Sequence, residues 1–432
     1  MAPPFRRRRS VVALIACTLA LSTLGATSAQ AANDVLDGST RLYVDPQSST
    51  VEAARSLKGQ AKQDALLLSR IPSATWFTNG TPAQVRKDVS SLVRRAGKKV
   101  PVLVAYNVPF RDCALYSAGG AANVAAYKAW IDAFAAGIGD REAVVVLEPD
   151  GLGVIPWYTT LDGVAEKCQP AELDPATAVA QRFEVLNYAV DALKSKPRTV
   201  VYLDGTGPYW LPASESADRL IKAGVQRADG FFLNVSNYEY TENSVQYGTW
   251  VSRCIAYVTQ VTPGDFASCG HQYWSGGPAN DWNGVLLSNT GIWSDTAPDA
   301  VHNTKGINSR YDLILGDVPA TTHFVVDTSR NGQGPWAAPA GVYSDAETWC
   351  NPPGRGLGVR PTTRTGADLA DAYLWIKVPG ESDGECFRGT GGPTDPARGM
   401  VDPAAGHWFV EQAHELVSLA QPAVRHGQHG RH

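Results

Sequence analysis

Residues 143–153 read Ala-Val-Val-Val-Leu-Glu-Pro-Asp-Gly-Leu-Gly. Val144 to Leu147 are four consecutive aliphatic residues, three of them β-branched, which suits a strand buried on both faces. Pro149 cannot donate to a ladder and Gly151 permits a sharp turn, so the strand stops there. That puts Asp150 at the C-terminal tip of a buried strand, the position from which α/β barrels do their chemistry. An Asp at such a tip also serves to cap a following helix, and the stretch by itself admits both readings.

The same alternation recurs on either side. Strand candidates lie at 42–46, 74–77, 100–107, 199–205, 230–237, 323–330 and 372–379, and helical spacing at 50–70, 81–96, 123–138, 175–196, 214–223 and 406–419. Thr81 reads as an N-cap, and Gly97 follows the end of that helix. Strands alternating with helices call for a parallel sheet. Seven or eight such units favour a closed barrel over an open doubly wound sheet, and no GxGxxG follows the first strand. The expected fold class is therefore α/β: a distorted (β/α) TIM-like barrel of seven to eight parallel strands with long active-site loops, over residues 41–421. Two segments break the rhythm, a Trp-, Gly-, Asn- and Asp-rich stretch at 239–320 and a Gly- and Pro-rich loop at 384–405. Loops this long in a compact domain are usually functional or disordered.

Residues 1–31 carry Arg6 to Arg9, an apolar run from Val11 to Leu24 and a terminal Ala29-Gln30-Ala31. This is the pattern of a cleaved secretory signal, and the run is short for a membrane span. A flexible lead at 32–40 and a polar tail at 422–432 flank the barrel. Losing four arginines and no acid takes the net charge from −4 to about −8. The expectation is an extracellular monomer that binds neither nucleic acid nor, after cleavage, membrane. Six cysteines remain, which in an exported protein suggests three disulfides. Proximity favours Cys254–Cys269 and Cys350–Cys386, leaving Cys113–Cys168. There is no CxxC and no Cys–His cluster, so neither a metal nor another cofactor is expected.

Carboxylates crowd the strand ends: Asp112, Asp150, Asp204, Asp327 and Asp383, with Glu148 and Glu381 nearby. In one cleft they cannot all ionise cheaply, so at least one should keep its proton near neutral pH. A retained proton beside an ionised partner is what cleaving a glycosidic bond requires. Arg111, Arg330 and Lys377 are close enough in sequence to pair with some of these acids. Many of the twelve Trp and sixteen Tyr stand beside Gly and Pro in apparent loops, where flat sugar rings can stack on them.

Longer motifs sharpen this. Residues 104–113, Val-Ala-Tyr-Asn-Val-Pro-Phe-Arg-Asp-Cys, running on to Ser117-Ala118-Gly119-Gly120, resemble one of the two signatures of glycoside hydrolase family 6, of actinobacterial type. Leu147-Glu148-Pro149-Asp150 resembles the other. The likeness extends to 202–204 (Tyr-Leu-Asp), 234–238 (Asn-Val-Ser-Asn-Tyr), 327–332 (Asp-Thr-Ser-Arg-Asn-Gly), 349–352 (Trp-Cys-Asn-Pro) and 375–384 (Trp-Ile-Lys-Val-Pro-Gly-Glu-Ser-Asp-Gly). The resemblance implies a cellulase that cuts β-1,4-glucan with inversion. Asp150 matches its general acid, Asp112 the aspartate that keeps the acid protonated, Asp383 the proposed base and Asp204 a carboxylate supporting the transition state. Tyr106 matches the tyrosine under the distorted sugar. Trp76, Trp210 and Trp349 match stacking tryptophans, while Asn234, Lys377 and Glu381 fall in the motifs as substrate contacts. Cys113–Cys168 and Cys350–Cys386 match the family's two disulfides, and Cys254–Cys269 is additional. Asp204-Gly205-Thr206-Gly207 lacks the family's usual histidine, and Gly151 replaces a usual Ser or Ala.

The family includes open-cleft enzymes that cut internally and tunnel enzymes that release cellobiose from chain ends. The long segments 239–320, with Trp250, Trp274, Trp282 and Trp293, and 384–405 are candidate roofs for a tunnel. They tilt the expectation to a cellobiohydrolase, with an endoglucanase as the alternative and a non-catalytic glucan-binding barrel as a remote one.

Overall fold

A computed structural model of the chain describes residues 35–424. The expected signal and most of the expected tail lie outside them. Seven parallel strands form one curled sheet in chain order: β1 (Thr75–Phe77), β2 (Val102–Ala105), β3 (Ala143–Leu147), β4 (Thr199–Asp204), β5 (Gly230–Leu233), β6 (His323–Asp327) and β7 (Ala370–Leu374). Register pairs Val104 with Val146, Val146 with Tyr202, and Phe232 with Val325.

Strands β2 to β6 are buried on both faces, and the alternation sorts their side chains into two cores. Val102, Val104, Val144, Val146, Val200, Tyr202, Phe232 and Val325 fill the inside of the curl. Leu103, Ala105, Val145, Leu147, Val201, Leu203, Phe231, Leu233, Phe324 and Val326 face the surrounding helices. Each Val, Leu or Phe among them contributes roughly 1.5–3 kcal/mol on removal from water, which is why these strands need no polar alternation.

The candidate strand at 42–46 reduces to a single bridge, Leu42 to Val100. The Asp45 carboxylate accepts from the Gln47 amide and pairs with Arg95, and Pro46 has no N–H to extend a ladder. β7 does not pair with β1 as a strand; the seam holds through the Ala74 amide donating to Trp375 O (2.9 Å) and Trp76 Nε1 donating to Ile376 O (2.8 Å). The flexible lead is not what residues 35–40 form: Val35 and Leu36 are buried in the inner core with Ala74, Val100 and Val102. They plug the end of the curl at which the strands begin.

The helices are α1 (Ser49–Ser56), α2 (Gly59–Leu68), α3 (Pro82–Ala96), α4 (Val124–Ile138), α5 (Pro175–Lys194), α6 (Ala213–Lys222), α7 (Thr241–Ala256), α8 (Lys305–Leu315) and α9 (Val410–Ser418). The expected helix at 50–70 is two, broken at Leu57-Lys58. Thr81 caps α3 in a reciprocal box with Gln84. α7 is the ordinary crossover helix between β5 and β6, so the added material inside 239–320 begins after it. Trp250 and Trp293 are buried in the outer core, stacked 5.6 Å apart; they are packing residues and roof nothing. Among the described residues, no helix is long and apolar enough to cross a membrane.

Candidate active site

β3 delivers Asp150 through a turn in which Glu148 (φ +54°) and Asp150 (φ +62°) both adopt left-handed backbone. Strand alternation therefore stops at Leu147, and Glu148 does not share Asp150's surroundings as a continuing strand would require. Glu148 Oε2 instead accepts from the Asn107 and Val108 amides (2.8 Å each), joining the ends of β2 and β3.

The turn is gripped from three sides. The Leu152 and Gly153 amides donate to Asp204 Oδ2 (3.0 Å each), and the Thr206 amide to Oδ1 (2.8 Å). Arg182 of α5 donates to the carbonyls of Gly151 (2.7 Å), Val154 (2.8 Å) and Pro109 (3.0 Å). Arg219 of α6 donates to Leu152 O (2.8 Å) while paired with Glu215 and Glu166. Asp204 is thus a buried brace for the acid's turn, with both oxygens engaged. Trp210 lies across Gly153, where a Cβ would come within 2.4 Å of the indole.

Asp150 keeps a partial opening to solvent, but protein surrounds most of its carboxyl group. Burial raises its pKa well above the carboxylate range; the charges of Asp204, Asp112 and Asp383 raise it further, and Tyr106 works the other way. Dependence on Asp112 is therefore weaker than the sequence suggested: burial comes first and Asp204 second. Asp112 follows Arg111 in a left-handed bend and accepts from the Ser117 amide (2.7 Å). Burial lifts it to about 6, against that hydrogen bond and the Arg111 charge. Asp204 is likewise lifted by burial to about 6. Both gain their charge as pH rises through about 6.

Asp383 differs. Burial would raise its pKa, but the Arg330 and Lys377 cations reverse the direction and hold it below the usual range. Oδ2 accepts from Arg330 Nη1 (2.9 Å), Tyr238 Oη (3.0 Å) and the Asn351 amide (3.0 Å); Oδ1 faces Lys377 Nζ at 3.3 Å. Asn351 returns the contact by accepting from the Asp383 amide (2.8 Å). The site thus contains one carboxyl biased to stay protonated and one biased to stay ionised, the pairing that acid–base chemistry needs.

Trp76 packs edge-on to Tyr106, ring centres 5.4 Å apart, and Arg111 lies 4.5 Å over the Tyr106 ring. Trp349 is exposed beside Tyr116 (5.8 Å), whose hydroxyl donates to Glu347 and whose ring also meets Phe387. Glu381 accepts from Ser49 Oγ. Asn234 departs from expectation. It is fully buried, its Nδ2 donates to Asp327 O (2.9 Å) and its Oδ1 accepts from the Glu239 amide (3.1 Å), so it orders loops and has nothing left for substrate. Asp327 is a similar clamp, accepting from the Ser329, Ile376 and Lys377 amides.

Tyr238, Asn351, Arg182 and Arg219 join the site without any role implied by their place in the sequence. Arg182 did leave a trace: it interrupts the apolar stripe Ala178, Val185, Leu186, Ala189 of a buried helix face. All three expected disulfides form. The trio Cys386, Asp395 and Asp402 is close enough to hold a metal, but the sulfur is bonded to Cys350 and both Asp395 oxygens accept from Arg388.

The model of the family described as glycosyl hydrolases family 6 matches residues 38–420. Endoglucanase 1 of Streptomyces halstedii is 33% identical over 416 residues, covering 95% of this chain and 98% of that protein. A probable 1,4-beta-D-glucan cellobiohydrolase C of Aspergillus terreus is 30% identical, covering 89% and 75%. The solved structure of the endoglucanase Cel6 from Mycobacterium tuberculosis, in complex with a thio-linked cellobioside, aligns with TM-score 0.61 and 32% identity over 89% of this chain and 98% of that one.

Proposed function

The chain belongs to glycosyl hydrolase family 6, and on that premise we propose that it is an exported, monomeric β-1,4-glucanase that cuts by single displacement with inversion. The observation that carries the reading is the contrast between Asp150, enclosed among other carboxylates, and Asp383, paired with Arg330 (2.9 Å) and Lys377 (3.3 Å). Asp150 gives its proton to the glycosidic oxygen as the C–O bond breaks. A water attacks the anomeric carbon from the opposite face and loses its proton toward Asp383, yielding the α-anomer. Tyr106 and Trp76 floor the reacting sugar, Trp210 and Trp349 stack its neighbours, and Lys377 and Glu381 contact its hydroxyls. NMR of early products from cellohexaose tests this: α-anomer first supports inversion, and β-anomer first ends it.

We propose internal cutting. Supporting this, Trp250 and Trp293 sit in the outer core, so much of the expected roof is helix packing. The second reading, release of cellobiose from ends, is favoured by one contact: Tyr116 joins the 112–118 segment to Phe387 of the 384–405 loop, partly enclosing the Asp112 side. Carboxymethyl cellulose separates the two. Rapid loss of viscosity with little reducing sugar is expected; abundant reducing sugar at near-constant viscosity would reverse the assignment.

A further inference from the structure

We propose that Tyr273, Trp274 and Trp282 form a second glucan-binding surface, a platform that carries a β-1,4-glucan chain beyond the Trp210 shelf. The proposal rests on the β-glucanase reading above and deepens it by extending the binding surface past the cleft. It lies in the part of 239–320 that follows α7, which no crossover requires.

The platform is continuous with the cleft. The Tyr273 hydroxyl donates to Trp210 O (2.9 Å), and the buried Gln272 donates to Leu211 O (2.8 Å). These two bonds clamp the 271–274 turn onto the segment carrying Trp210. The Tyr273 ring lies 6.3 Å from Tyr209, which is 38% exposed. Next along the chain, Trp274 stacks on Trp282 at 6.3 Å with planes 20° apart. They are 37% and 47% exposed.

The surface is also rigid. Arg310 stands 5.6 Å and 5.8 Å from the two indole centres and is itself held by the carbonyls of Ser268 (2.9 Å) and Ala267 (3.0 Å). Trp274 rests on Gly276 and Gly284, where a Cβ would come within 2.4 Å of the ring. Asp281 (φ +52°) and Trp282 (φ +59°) are successive left-handed residues, a conformation that costs about 1–3 kcal/mol each. A side chain held out at that cost and left half exposed is not serving the core. The Cys254–Cys269 disulfide, the one the family resemblance does not supply, ties the base of this segment to α7. Flat apolar faces among Asn, Asp, Ser and Gly suit the C–H face of a pyranose, which also presents hydroxyls at its rim; a buried protein interface would favour a wider apolar patch.

Trp282→Ala and Trp282→Phe in the full chain test the proposal. Adsorption to amorphous cellulose is measured, together with kcat/KM on that polymer relative to cellotetraose. The alanine variant should adsorb about three- to tenfold more weakly, the scale of one lost aromatic contact, and its polymer-to-tetraose ratio should fall in step. Phenylalanine should restore most of both. Unchanged adsorption and ratio in an alanine variant with wild-type melting would overturn the platform. So would phenylalanine behaving like alanine, or sedimentation showing self-association that Trp282→Ala abolishes, since the face would then belong to a second copy. If the unaltered protein fails to cleave cellotetraose, the β-glucanase reading fails instead; if it cleaves and the variants adsorb normally, only the platform does.

Discussion

Asp150 is held at φ +62° by a turn whose amides bind Asp204 and whose carbonyls bind Arg182 and Arg219. Replacing it by Asn removes the transferable proton and keeps the shape. Turnover of cellohexaose should fall by about 10²–10⁴-fold. An aryl cellobioside whose acidic phenol leaves without a proton should lose much less, and equal losses on the two substrates would deny Asp150 the acid's role. The pH dependence follows from signs. In the proposed mechanism activity requires protonated Asp150, so it should be lost as pH rises through that group's pKa. Asp112→Asn removes a negative neighbour, lowers the pKa and moves the alkaline limb of the kcat/KM profile to lower pH. Below about 6, where Asp112 is itself protonated, the two profiles should converge. At this scale the gathering of Asp112, Asp204 and Asp383 around Asp150 was legible, because acidic residues crowd the strand ends in the sequence. Asn234 was misread because a motif does not say which way a side chain faces; its left-handed backbone (φ +65°) turns the amide into buried carbonyls. Tyr238 and Asn351 give no such signal, because their contacts to Asp383 exist only where distant loops meet.

Among the elements, strands β2 to β6 could be read from apolar runs, since burial on both faces leaves a continuous signal. Capped helices were equally plain. Thr81 and Gln84 bracket the first turn of α3, and Thr81→Ala should cost about 1 kcal/mol. The check is the urea midpoint falling while the slope of the transition is unchanged. The reading failed where periodicity competes with local chemistry. Gly59 (φ +58°) at the start of α2 splits one apparent helix into two, and Pro46 with the Asp45 turn removes a strand that hydropathy alone would allow. The segment 239–320 looked like pure insertion because the helical stripe of α7 is masked by its many aromatics and polar residues. Their burial is decided by what they pack on, not by their spacing.

For the whole molecule, the consequential feature is a curl with two cores and an incomplete seam. The inner core is closed at its base by Val35 and Leu36, residues that composition assigned to a loose leader. Leu36→Ala should therefore lower stability by about 2–5 kcal/mol, read as a fall in the calorimetric midpoint; a change near zero would mean the plug is dispensable. Seven strands rather than eight among the described residues also leave β7 and β1 joined by isolated hydrogen bonds, so one side of the mouth is framed by loops. The left-handed bend under Asp150 has a further meaning for anyone altering this protein. Glycine there would relieve an unfavourable backbone conformation, commonly about 1 kcal/mol or more, and would remove a carboxyl from an acidic pocket. Directed evolution scored on heat survival alone would thus reward the substitution that abolishes the acid, and a library screened that way would drift toward sturdier, inert molecules unless sugar release is scored in the same round.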